Sequence, residues 1–268
     1  MDKPKQNIVK KLLTPLAALA IAGSMMACSG SQKENSESNT DPEAKTDNAV
    51  NILTEEEKAE GWILLFDGKT LNGWKRYNAD TIGPLWSVVD GTILCDGEGL
   101  GEGSGEMGGS LITTRTFGNF DLILDFKLSE GGNSGILYHV IEDPQYKHDY
   151  ETGPEYQLLD DGGWKGEIGE AQKAGSYYDM FPAASTKKLN PAGEWNTARV
   201  VYNNGRVEHW LNGEKVVEFD ENSDDYRERY ENSKWTEFPD WNKVKQGAIA
   251  LQDHGAPVYF RNIRIREL

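Results

Sequence analysis

The sequence predicts an all-β domain, a jelly-roll sandwich of two antiparallel sheets. Two observations predict it. Short apolar runs follow one another through most of the chain, separated by Gly, Asn and Asp, and several alternate with period two. Leu122, Leu124, Phe126 and Leu128, for example, share one face with polar residues largely between them. Long helical periodicity is nearly absent, and no repeat of fixed period is visible. Two stacked sheets bury such strands on one face each.

In chain order, Thr54-Glu55-Glu56-Glu57 predicts a capping box that opens a short helix, with carboxylates at its positive end. The run 63–66 enters a turn at Asp67-Gly68. Asp90-Gly91 joins 86–89 to 92–95, and Asn212-Gly213 joins 206–211 to 215–219. Both are hairpin signatures, because Asn, Asp and Gly accept the left-handed backbone of a tight turn. Further strands are expected over 110–114, 120–128, 134–141, 155–159, 196–203, 248–252 and 258–265. The charged stretch 224–235 reads as a surface helix or insertion. Eight Trp, eleven Tyr and eight Phe supply one sizeable core, and Trp62, Trp74 and Trp195 are expected within it.

The N-terminus sets an expectation about location. Residues 1–27 read as a secretion signal, with Lys3, Lys5, Lys10 and Lys11 before an apolar stretch over 12–26. That stretch falls short of the roughly 20 residues a membrane-spanning helix needs. Met25-Met26-Ala27-Cys28 resembles a bacterial lipobox, so Cys28 is the expected lipidation site. The polar segment 28–52 reads as a disordered tether, and the folded domain spans 53–268. A cell-envelope lipoprotein of the outer membrane follows, periplasmic or surface-facing. With Cys28 acylated, Cys95 is left without a disulfide partner.

The formal charge is −16, and removing the signal, net +3, takes it to −19. So acidic a chain repels phosphate backbones, which excludes nucleic acid as a natural partner. Membrane attachment then rests on the acyl chain alone.

Few motifs bear chemistry. The Gly-rich run 97–109 contains a formal G-x-G-x-x-G, but no helix follows and its glutamates repel phosphate. It reads as a rim loop able to cover a substrate. Alternation over Asn133-Ser134-Gly135-Ile136-Leu137-Tyr138-His139 puts Ser134, Ile136 and Tyr138 on one face and Gly135, Leu137 and His139 on the other. Glu155 and Gln157 share a face, and so do Gln252 and His254. Amides bond hydroxyls in both directions, while Glu and His move protons near neutral pH, so the set suits a sugar. Tyr138, Tyr156 and Tyr178 offer faces for a pyranose. Glu155-x-Gln157-x-x-Asp160 also has the spacing of the E-x-D-x-x-E strand of laminarinase-type glycosidases, with both partner carboxylates altered.

Six motifs in order resemble the 3-keto-disaccharide hydrolase domain family. They are the 61–74 segment from Gly61-Trp62 to Gly73-Trp74, Asn133-Ser134-Gly135-Ile136, Glu155-Tyr156-Gln157-Leu158-Leu159-Asp160, Gly193-Glu194-Trp195-Asn196, Leu211-Asn212-Gly213, and Leu251-Gln252-Asp253-His254-Gly255 through Asn262-Ile263. The resemblance implies a concanavalin-like jelly roll acting on glycosides oxidised at C3, by loss of the C2 proton, β-elimination of the aglycone and hydration. It makes Glu155 and His254 the acid/base candidates, and Gln157, Gln252 and Asn133 the groups for hydroxyls or an enolate. Tyr138, His139, Lys173 and Tyr178 become further pocket candidates, with Asp160 beside them. Many members carry Arg shortly after N-S-G, where this chain has Tyr138-His139, so no role of that Arg transfers. A divalent cation, held by Asp160, Glu155, His139 and His254, is a possible cofactor. Two other readings stand beside the hydrolase: a non-catalytic carbohydrate-binding lipoprotein and a conventional laminarinase-like glycosidase.

Overall fold

The computed structural model describes residues 50–97 and 108–268. The signal segment, Cys28, most of the tether and the centre of the Gly-rich run lie outside the described residues. Thirteen strands form among those described: β1 Ile63–Leu64, β2 Trp74–Arg76, β3 Trp86–Val89, β4 Thr92–Cys95, β5 Leu111–Thr113, β6 Phe120–Leu128, β7 Asn133–Val140, β8 Glu155–Leu159, β9 Asn196–Asn203, β10 Arg206–Leu211, β11 Glu214–Asp220, β12 Ala248–Leu251 and β13 Val258–Glu267. All pairings are antiparallel. One sheet runs β11-β10-β9-β6-β13-β4-β3, with β1 also on β13; the other runs β2-β5-β12-β7-β8.

The period-two pattern holds where it was clearest. Along β6 the alternate residues Leu122, Leu124, Phe126 and Leu128 are buried between the sheets. Facing them from the smaller sheet are Ile136, Tyr138, Tyr156, Leu158, Ile249 and Leu251. Both expected hairpins close on paired positive φ values, Asp90 and Gly91 in one, Asn212 and Gly213 in the other. Helix α1, Glu55–Ala59, carries the full Thr54–Glu57 capping box. Folded contacts reach back to Asn51, whose backbone and side chain exchange hydrogen bonds of 2.6 and 2.8 Å with Asn262. Asn262, at φ +54, sits in a bulge of β13.

Two expectations need correction. Trp195 is not core: it lies half-buried between cations, with Arg261 at 4.0 Å and Lys127 at 5.1 Å from its ring. The alternation in β7 also breaks. Opposite β12 the register shifts, so that Ala248 pairs with Val140 and Ala250 with Leu137. The extra residue is absorbed at His139, which takes φ +55. An added Cβ on Gly247 would overlap the His139 backbone, so only glycine lets the chain pass there. No helix among the described residues is long and apolar enough to cross a membrane.

Candidate active site

The outer face of the smaller sheet carries the polar motifs, each residue of which has a separate task. In Asn133-Ser134-Gly135, Ser134 turns inward and donates to the Gln252 carbonyl at 2.8 Å, while the Gln252 N–H donates to the Gly135 carbonyl at 2.9 Å. These bonds tie the end of β12 to the start of β7. Gly135 is a floor: any Cβ there would overlap the Glu155 carboxylate, which lies across it from β8. A buried strand residue without a side chain is therefore what lets a carboxylate occupy this face.

On β8, Tyr156 and Leu158 enter the core, leaving Glu155 and Gln157 together on the outer face. The segment after the short turn Glu170–Gln172 runs beside this strand. Tyr178 N–H donates to the Glu155 carbonyl at 3.0 Å, which sets Tyr178 beside Glu155. In Gln252-Asp253-His254, Asp253 turns away and accepts from Gly109 N–H at 3.0 Å and Gly255 N–H at 3.1 Å. Its neighbours Gln252 and His254 are left facing the cleft.

Six expected residues thus line one cleft of about 250 Å³: Asn133, Glu155, Gln157, Tyr178, Gln252 and His254. Three amide oxygens in it, Asn133 Oδ1, Gln157 Oε1 and Gln252 Oε1, are buried without a protein hydrogen bond. Gln157 Nε2 donates to the Gln172 carbonyl at 3.1 Å, which fixes its oxygen as the unused acceptor. Each such buried group costs roughly 1–3 kcal/mol. A ligand rich in hydroxyl donors offsets that cost.

The rest of the lining was not foreseen: Tyr150, Lys234, Trp235, Glu237 and Phe238. The stretch expected as a surface helix or insertion at 224–235 supplies Lys234 and Trp235, and Glu237 and Phe238 lie just beyond it. It begins with helix α2, Asp224–Glu231, capped by Ser223, and continues into the 3-10 turn Lys234–Glu237. Trp235 stacks on Trp241 at 4.9 Å and donates from Nε1 to the Tyr178 carbonyl at 3.1 Å. The Lys234 ammonium stands 4.5 Å from the Tyr178 ring centre and 4.6 Å from that of Trp235. The sequence does carry a signal: Trp235 and Phe238 are large apolar residues at the end of a mostly polar, charged segment, and such residues cover something.

Four expected site residues lie elsewhere. Tyr138 is fully buried between the sheets, its ring 5.7 Å from Phe120 and 6.3 Å from His209. His139 follows it inward because of the bulge, its ring 4.4 Å from Tyr202. Nε2 of His139 donates to the Gly118 carbonyl at 2.9 Å, and burial lowers its pKa to about 4. Asp160 accepts from Gly131 N–H at 2.9 Å and orders the loops at 131 and 163. Lys173 pairs with Glu170 at 2.5 Å on a different surface. The four-residue cation set is consequently not assembled, since His139 and Asp160 are both away from the cleft. Among the described residues no group of three or more His, Cys, Asp or Glu is placed to hold a metal ion. The Glu155–Asp160 spacing likewise builds no carboxylate pair in the cleft.

A family model described as a 3-keto-alpha-glucoside-1,2-lyase-like domain matches residues 61–266. A 3-keto-disaccharide hydrolase of Bacteroides thetaiotaomicron is 34% identical, over an alignment covering 97% of this chain and all of that protein. A crystal structure of a "putative glycosyl hydrolase" from Parabacteroides distasonis has 44% identity and a TM-score of 0.75, covering 82% of this chain and 99% of that one. A second structure so described, from the same organism, has 28% identity and a TM-score of 0.58, covering 77% and 99%.

Proposed function

The chain belongs to the 3-keto-alpha-glucoside-1,2-lyase-like domain family, and from that premise we propose that it cleaves glycosides whose sugar carries a ketone at C3. It is a carbohydrate hydrolase, as its relatives' names indicate. One observation carries the finer reading: a single cleft gathers Glu155, His254 and three buried amide oxygens without protein partners.

A C3 ketone acidifies the C2–H bond. Glu155 takes the C2 proton, and the electron pair forms the C3 enolate. Amide N–H groups of the cleft and the Lys234 ammonium offset the developing charge. As the ketone re-forms, the pair becomes the C1=C2 bond and the C1–O bond breaks, its electrons leaving on the aglycone oxygen. His254 protonates that oxygen. Water then adds across C1=C2, hydroxyl to C1 and proton to C2, so the sum is hydrolysis. The route needs one base and one acid rather than two carboxylates flanking C1.

Glu237 favours a second reading, since it places another carboxylate at the cleft. With Glu155 it would supply the pair of a conventional glycosidase. Incubation with a glucoside and with its 3-keto derivative separates the two. Turnover of only the keto sugar is expected; cleavage of the unoxidised glucoside would favour the carboxylate pair, and binding without turnover would favour a lectin-like role.

The location belongs to the same proposal: Cys28 is acylated and tethers the domain to the cell envelope. Cys28→Ser is expected to move the protein from the membrane to the soluble fraction. Unchanged partition would remove the lipid anchor.

A further inference from the structure

A second cleft, of about 280 Å³, adjoins the first, and Gln252 lines both. We propose that it holds the leaving half of the glycoside, a second sugar ring, with Lys147 and His148 as its specificity-determining side chains. The proposal rests on the first cleft being the site of the keto sugar.

Three observations carry it. The first is the shared wall. The 3-10 turn Asp149–Glu151 puts Tyr150 in the first cleft and His148 in the second, and their rings stack 4.8 Å apart with planes only 7° from parallel. Gln252 stands at the same boundary, its buried amide oxygen unbonded. A substrate crossing that boundary brings its C1–O bond near the amide. The second is size. Either cleft alone falls below the roughly 300–1,000 Å³ usual for small-molecule sites, whereas the two together fall within it.

The third is complementary chemistry on a fixed frame. The wall at Gly109 is held from two sides: its N–H donates to Asp253 at 3.0 Å, and its carbonyl accepts from Trp86 Nε1 at 2.9 Å. The opposite rim is pinned by Tyr77, whose hydroxyl donates to the Ile141 carbonyl at 3.0 Å, and by Asn78, whose amide donates to the Tyr146 carbonyl at 2.9 Å. Lys147 is exposed on this rim and has no ion pair among the described residues, in a chain of formal charge −16. Its ammonium offers donors where the first cleft offers unused acceptors. Sugar hydroxyls satisfy both.

The test compares two substrates, a 3-keto-disaccharide and methyl 3-keto-glucoside, in the wild type, Lys147→Ala and His148→Ala. Each variant is expected to lower kcat/KM for the disaccharide about tenfold more than for the methyl glucoside, roughly the value of one hydrogen bond. Losses of equal size on both substrates, or no change in their ratio, would overturn the proposal. Should the wild type turn over neither substrate, the reading of the first cleft fails instead. Calorimetric binding of the same two compounds then decides the second cleft. A preference for the disaccharide that weakens in Lys147→Ala supports it, and equal affinities overturn it.

Discussion

The outer faces of the two sheets place polar side chains on strands in the same alternating way, yet they treat them oppositely. On the larger sheet Asp121 is buried but fully engaged, accepting from Arg199 at 2.7 and 2.8 Å and from Arg266 at 3.0 Å. Asp125 accepts from Thr197 at 2.7 Å and Asn262 at 2.7 Å. On the smaller sheet Asn133, Gln157 and Gln252 each keep a buried oxygen that no protein group satisfies. The larger sheet uses its polar groups to hold strands together. The smaller sheet keeps amide oxygens for a ligand, whereas on the larger sheet the buried side-chain atoms without a hydrogen bond are Arg264 and Arg266 Nε, whose guanidinium groups are paired with Glu57, Glu60 and Asp121.

The largest test of that contrast is Glu155→Gln. It is expected to lower kcat/KM on a keto-glycoside by about 10²–10⁴ while the thermal midpoint stays within about 2 °C. Activity at the wild-type rate would show that Glu155 is not the base. Gly135→Ala comes next. Its methyl group must displace the Glu155 carboxylate, and a misplacement of about 1 Å costs on the order of 10² in rate. An unchanged rate would show that Glu155 works from another position.

Asp121→Ala should behave in the opposite sense. It takes the carboxylate from Arg199 and leaves Arg266 with Glu60 alone, so about 2 kcal/mol of stability is lost, roughly 4–8 °C in midpoint, with kcat/KM intact. A loss of activity without a loss of stability would erase the distinction between the faces.

The last effect concerns acid. His139 and His209 are buried, with pKa values lowered from 6.5 to about 4 and about 3. Between those values and 6.5 the unfolded chain binds protons that the folded chain refuses, so stability falls as pH drops through that window. Each histidine contributes at most about 1.4 kcal/mol per pH unit. Urea titrations from pH 6.5 to 4.5 should show a shallower loss in His139→Gln, whose amide can still donate to the Gly118 carbonyl. An identical slope would place the acid sensitivity elsewhere.

Much of this architecture was legible in the sequence because its signals are local. The hairpins at Asp90-Gly91 and Asn212-Gly213, the capping box at Thr54 and the alternation of β6 each depend on a few neighbouring residues. The pairing of Glu155 with Gln157, and of Gln252 with His254, follows from the same alternation and from a turn. What was not legible depends on distant partners. The bulge that turns His139 inward is set by its register against β12, more than a hundred residues later. Asp160 looks like a site carboxylate until the loop at Gly131 is brought beside it. The roof formed by Lys234, Trp235, Glu237 and Phe238 sits over the cleft only because Trp235 packs on Trp241 and bonds to Tyr178.

The central claim is that the reaction begins at C2, and the fate of the C2 hydrogen tests it most directly. When a 3-keto-glycoside is cleaved in deuterium oxide, the released keto sugar is expected to carry deuterium at C2, and substrate deuterated at C2 is expected to react more slowly. A product that keeps its original C2 hydrogen, formed at the same rate from either substrate, would contradict the account.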